Sequence, residues 1–266
     1  MTARIFLSPA ESRGLLAGRV ALLLRPVRPE PDESFAIDYN PDGSVKARRS
    51  YGWSWVNPHR TGDGCVPVGS AAMLARCPFG VPGDALWGAE AFALSIADPD
   101  RMEPDRQNPD DWDAPVYRAD TPHGEWTGDG GKRIPPPWEP SSRMPRWASR
   151  HALTLASVRV VRVRDVSEED ARACGALFTD YGKTCFHDHG DGRGNGIRDA
   201  RECSATVGHQ QRNGWSCVPT TSADDCLGSA RLAVGNAWTA RYGRRYPWET
   251  AFAWALGVAA ARGVTP

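Results

Sequence analysis

The sequence predicts an α+β fold that is mostly β, and three observations carry this. Two short apolar runs, Val20–Leu24 and Ala251–Ala261, read as buried strands. The segment His151–Arg164 sets Leu153, Leu155, Val158, Val160 and Val163 in near alternation, the clearest strand of the chain. Its 22 prolines and 27 glycines demand many loops, because proline fixes φ and has no backbone donor. The order of strands and helices suits a small closed sheet with helices at its openings and long loop insertions.

Taken in order, Ile5–Leu7 is a short apolar segment. Pro9–Gly18 then reads as a helix, with Leu15 and Leu16 as its buried face and Gly18 as its C-cap. Val20–Leu24 follows, and Pro26, Pro29 and Pro31 end it. Tyr51–Val56 alternates like a hairpin strand. Cys77–Asp84 is a Gly/Pro turn before a strand at Ala85–Leu94, and Val116–Tyr117 is a short strand. In His151–Arg164 the alternation slips near Ala156–Ser157, which predicts a bulge. Ser167 caps a helix with Asp170 at its third position. Ala230–Tyr242 reads as a helix and Ala251–Ala261 as the last strand. One domain, residues 1–266, with insertions at about 29–75, 97–135 and 180–228, accounts for the whole pattern.

With 41% hydrophobic residues the chain can bury a sizeable core. Its 32 basic and 32 acidic residues give a net charge of zero, unlike a strongly basic nucleic-acid coat protein, though local basic patches remain open. Neither apolar run is long enough for a membrane span, so no membrane partner is expected. Seven irregularly spaced cysteines read as mostly reduced and cytoplasmic.

Several motifs recur in order along the chain. They are Ala17–Gly18–Arg19 before a strand ending in Arg25–Pro26–Val27; Cys77–Pro78–Phe79–Gly80, Pro82–Gly83–Asp84 and Leu86–Trp87, followed by Glu90; Trp138–Glu139–Pro140–Ser141 and the run from Met144 to Arg150; Asp165–Ala171; and Tyr246–Pro247–Trp248–Glu249 with Trp254. Together they resemble the phage and prophage branch of the ASCH domains, small PUA-like β-barrels. The three insertions lie outside the resemblance. It implies a cleft beside the first helix and strand, and an association with RNA or modified nucleosides. Small bacterial relatives hydrolyse acetylcytidine with a Lys and a Thr on the first strand and a Glu on the later helix. At those positions this chain has Val20, Leu23 and Cys174. Neither Val nor Leu can ionise, donate or attack.

The remaining candidates follow from residue chemistry. Arg25 and Glu90 are expected to face each other across the cleft, binding a polar ligand or forming a structural ion pair. Arg146, Trp147 and Arg150 would offer a base-stacking ring between phosphate-binding guanidinium groups, or a core indole with solvated arginines. Glu90, Cys174 and Glu168 are the catalytic candidates of a rearranged hydrolase. Cys185, His187, His189 and Cys203, with His209, Cys217 and Cys226 following, offer ligands for a structural zinc, and a disulfide is the competing reading. Asp188, Asp191 and Asn195 only faintly suggest a calcium loop, because the EF-hand spacing and its terminal Glu are absent. No cofactor is required.

Three functions therefore stand open. The first is binding of single-stranded RNA, DNA or a modified nucleoside without acetylcytidine chemistry. The second is hydrolysis at a rearranged site, and the third is a virion or assembly scaffold that contacts phage structural proteins. The cytoplasm of a phage host suits the first two, and the virion the third.

Overall fold

A computed structural model describes residues 2–28, 74, 76–95, 104–121, 136–185, 187, 203, 208–218, 220 and 222–260, with six two-residue strands between residues 38 and 134. The chain is α+β and mostly sheet. In chain order the elements are β1 (Ala3–Phe6), α1 (Pro9–Leu16), β2 (Leu22–Pro26), β3 (Ala85–Ala89), β4 (Phe92–Ala93), β5 (Val116–Tyr117), β6 (His151–Arg162), α2 (Glu168–Ala173), β7 (Leu177–Cys185), β8 (His209–Ser216), α3 (Ala230–Tyr242) and β9 (Phe252–Ala260). The six two-residue strands form three minimal pairings: 38–39 with 45–46, 53–54 with 67–68, and 126–127 with 133–134.

One five-stranded sheet runs β1-β3-β6-β9-β2. Only β1 and β3 are parallel, and the other three pairings are antiparallel. Among the described residues the ladder does not close, so β1 and β2 are its edges. Between them runs a side-chain link: Arg25 Nη2 on β2 donates to the Phe6 carbonyl on β1 at 2.7 Å.

Strand alternation gives the sheet two unlike faces. On β9, Phe252, Trp254, Leu256 and Val258 join Ile5, Leu23, Leu86, Leu153 and Leu155 in one cluster. The other face of β9 presents Ala253 and Ala255, with Ala251 just before the strand. These small residues let α3 pack close through Ala233, Val234 and Trp238. The register of strand β6 shifts between Leu155 and Ser157, where the alternation of the sequence slips, and this keeps Val158 and Val160 in the same cluster as Leu153 and Leu155, while Val161 turns to the other face.

Helix α1 differs from expectation in its buried face. Ser12 and Gly14 are buried, whereas Leu16 is exposed. A capping box fixes its start: Glu11 N donates to Ser8 Oγ, and Ser8 N donates to Glu11 Oε2. Ser167 caps α2 by accepting from Asp170 N.

Two insertions hold more structure than loops. Within 97–135, Ala119 and Asp111 are buried, and Trp112 and Tyr117 pack on a third cluster of Ala89, Phe92, Leu94, Met144 and Ala148. Within 180–228 the chain builds the antiparallel hairpin β7–β8, paired from Leu177–Ser216 to Cys185–His209. Most of 29–75, His189 and the calcium-loop residues lie outside the described residues. Among the described residues no helix is long and apolar enough to cross a membrane.

Candidate functional site

A cleft of roughly 610 Å³ opens between α1, the start of β2, the end of α2, the base of the β7–β8 hairpin and α3. Its walls are mostly apolar, with Val20, Leu22, Leu24, Val234 and Trp238 among them. Three arginines, Arg13, Arg19 and Arg241, and one carboxylate, Glu11, also line it, so the lining carries a surplus of positive charge. Alternation along β2 turns Leu22 and Leu24 toward the cleft and Leu23 into the opposite core. Val20 fills the floor. A Cβ on Gly14 would collide with its Cγ2, and one on Gly175 would come within 2.8 Å of it. Two glycines thus make room for an aliphatic side chain where the resemblance implies a lysine.

Glu11 organises the polar end of the cleft. It accepts from Arg25 Nη1 at 2.6 Å and from Arg241 Nη1 at 2.5 Å, in addition to Ser8 N at 2.7 Å. Burial alone would raise its pKa. The guanidinium groups of Arg25 and Arg241 outweigh this and hold it at about 2. A carboxylate held ionised in this way is a poor proton carrier at neutral pH.

A second polar cluster is buried on the other side of α1. Glu90 accepts from Ser12 Oγ (2.8 Å), Arg150 Nε (2.7 Å) and Arg150 Nη2 (3.1 Å), and His151 Nε2 lies 3.1 Å from it. Ser12 Oγ also lies 2.8 Å from the same His151 nitrogen. A relay triad needs the carboxylate on one imidazole nitrogen and the hydroxyl on the other. Here both converge on Nε2, and neither Ser12 nor His151 lines the cleft. Burial would raise the Glu90 pKa, but hydrogen bonds from His151, Arg150 and Ser12 pull it below the usual range. Arg150 is held further by Asp120 (2.5 Å) and stacks over Tyr117 at 4.0 Å.

The expected pairing of Arg25 with Glu90 is therefore corrected: Arg25 pairs with Glu11, and Glu90 with Arg150. Helix α1 lies between the two pairs, with Glu11 on one side and Ser12 on the other. Trp147 is half-buried on the third cluster, and its Nε1 donates to the Arg106 carbonyl at 3.0 Å. Arg146 beside it is exposed, while Arg150 is taken up by carboxylates. Glu168 accepts from Ala230 N (3.0 Å) and Arg231 N (3.4 Å), capping α3. Cys174 is the C-cap of α2 and lines the cleft.

Burial pushes the Cys174 thiol far above its usual range and raises that of Cys217, also in the cleft, to about 11. Neither is an activated nucleophile. Alkylation by iodoacetamide at neutral pH, read by peptide mass spectrometry, should be at least about a hundredfold slower at both than at an ordinary free thiol. Rapid modification of Cys174 would reopen it as a nucleophile.

At the tip of the β7–β8 hairpin, Cys185, His187, Cys203 and His209 form a cluster that could hold a metal ion. One ligand atom from each lies within 4.8 Å of the others. His209 takes the place that the sequence reading gave to His189. Glu11 and Arg241 in the cleft, and Ser12 and His151 in the buried network, were not singled out from sequence, and Cys217, a possible zinc ligand in the sequence, lines the cleft instead.

No protein-family model, curated protein or solved structure matches the chain.

Proposed function

We propose that this chain is an ASCH-like module of the phage or prophage type, a PUA-like barrel in which Arg25 bridges the two edge strands. It binds nucleic acid or a modified nucleoside in the cleft and does not hydrolyse acetylcytidine. The cleft carries this reading. A volume of roughly 610 Å³ falls within the range of pockets for small organic ligands, about 300–1,000 Å³. Apolar walls suit a base, and the surplus of arginine suits a phosphate.

The absence of hydrolysis follows from the lining. Val20 is a packing residue and Leu23 faces away. Glu90 and Glu168 are committed to buried or capping hydrogen bonds, and the Cys174 thiol is held protonated. A rearranged hydrolase would have to free one of these groups first. Any metal at the Cys/His cluster is structural in this reading, a zinc rather than a catalytic ion, because protein side chains supply four ligands and none of them lines the cleft. The module would act in the cytoplasm of a phage host.

The test is binding of a single-stranded RNA oligonucleotide, cytidine and acetylcytidine at two salt concentrations. Binding of RNA should weaken steeply with salt as counterions are released. Ala237→Trp, which fills the cleft from α3, should abolish binding of all three. Arg19→Glu, at an exposed lining position, should weaken RNA binding about tenfold. Acetate should not be released from acetylcytidine. Release of acetate would refute the non-hydrolytic reading. Salt-independent or undetectable binding would leave the assembly-scaffold role as the better one.

A further inference from the structure

We propose that Cys185, His187, Cys203 and His209 bind one Zn²⁺ ion in a tetrahedral Cys₂His₂ site that ties the end of β7 to the start of β8. The assignment rests on ligand chemistry, geometry and one uncommitted donor. Two thiols and two imidazoles are the donor set that favours tetrahedral zinc over hard cations, which take oxygen. In a tetrahedron with Zn–S near 2.3 Å and Zn–N near 2.0–2.1 Å, neighbouring ligand atoms stand about 3.3–3.8 Å apart. Cys203 Sγ and His187 Nε2 are 3.4 Å apart, and the full set fits within 4.8 Å. A small contraction completes the shell.

The backbone is arranged for this meeting. Cys185 closes β7 directly opposite His209, which opens β8, so one cross-strand pair supplies two ligands. His187 stands two residues beyond Cys185, and its ring approaches that of His209 at 5.4 Å between centroids. Gly208 makes room for it. Its φ is +79°, and a Cβ there would lie 2.8 Å from His187 Cδ2. Cys185 is fully buried, and His209 Nε2 is buried without a hydrogen-bond partner. A buried ring nitrogen without a partner is unfavourable unless something coordinates it.

Among the described residues, the strands themselves offer little apolar surface near this end. They carry Lys183, Thr184, Gln210 and Gln211 next to it, with few large apolar side chains. The described cysteines are all thiols, so no disulfide does the work. Metal coordination would add to the thin apolar packing that the two strands supply at this end.

The test uses the full chain, purified under reducing conditions without chelator. Elemental analysis should find about one zinc per chain. After chelation, Co²⁺ titrated into the reduced protein should saturate at about one equivalent. It should give the strong visible bands of tetrahedral cobalt and a thiolate charge-transfer band. Cys203→Ser and His209→Ala should each lower zinc affinity at least about tenfold, whereas Cys226→Ser, outside the cluster, should not. The cobalt titration of the unaltered chain needs no variant, so misfolding of a variant cannot hide the answer. The proposal is overturned if reduced protein takes up no stoichiometric metal or if Cys185→Ser/Cys203→Ser retains it. It is equally overturned if the protein as isolated, before any chelation, carries a Cys185–Cys203 disulfide in place of metal.

Discussion

Glu90→Ala is expected to destabilise the protein by about 3–5 kcal/mol, the cost of leaving a buried network without its anion. Glu90 is 1% exposed and receives bonds from Ser12 and twice from Arg150, with His151 beside it. Truncation would leave the buried Ser12 hydroxyl and His151 ring with only each other and Arg150, and would remove the inner carboxylate of Arg150. At this chain size the loss corresponds to a fall in Tm of roughly 10–15 °C. Asp120→Ala provides the contrast. Asp120 also binds Arg150, but its side chain is 46% exposed, so its loss should cost less than about 1 kcal/mol. Urea denaturation of both variants decides the matter. A Glu90→Ala variant within about 1 kcal/mol of the parent would show that the network is not what holds β3, β6 and α1 together.

The second large effect is an acid transition governed by Glu11. Its pKa in the folded protein is about 2, against 4.5 for an ordinary glutamate. A depressed carboxylate stabilises the fold above its unfolded pKa, and that stability is lost as pH falls through the folded value. The loss should run between about pH 4.5 and 2 and amount to about 3 kcal/mol. The cause is the pair of guanidinium groups from Arg25 and Arg241, which would face a neutral group once Glu11 is protonated. Glu11→Gln should remove most of this slope and lower stability at neutral pH. The measurement is the urea midpoint followed from neutral to acid pH for both proteins. If the two chains lose stability in parallel through that window, Glu11 is not the group that titrates.

The elements most legible in the sequence were those with their own local signal. Ala230–Tyr242 is helical over the whole span read from sequence, and Ser167 caps α2 as its spacing with Asp170 implies. The slip at Ala156–Ser157 is a register shift in β6. The hairpin β7–β8 was missed for a physical reason. Its strands are polar and half-exposed, with no apolar alternation, and pair across a long stretch of chain. Ion-pair partners were illegible for a related reason, since periodicity orients a side chain but does not say which charge meets it. Ser12 and His151 did leave a trace. Ser12 lies one helical turn before Leu15, and His151 shares the strand phase of Leu153 and Leu155. Both positions therefore point inward, where a polar group must find a partner.

The order of strands in the main sheet also bears on how the chain is made. Among the described residues strand β2 pairs only with β9, in a register that sets Leu23 opposite Leu256. On a ribosome working at about 5–20 residues/s, the first of these strands waits on the order of 10–50 s for the second. During that interval Leu22, Leu23 and Leu24 have no sheet neighbour, and β6 lacks one of its two. Strand β9 joins the interior of the sheet rather than its edge, so a nascent chain stopped before Phe252 holds a three-stranded sheet, β1-β3-β6, and an unpaired apolar strand, β2. Such a chain offers open edges to other chains, and protection during synthesis has to come from outside it.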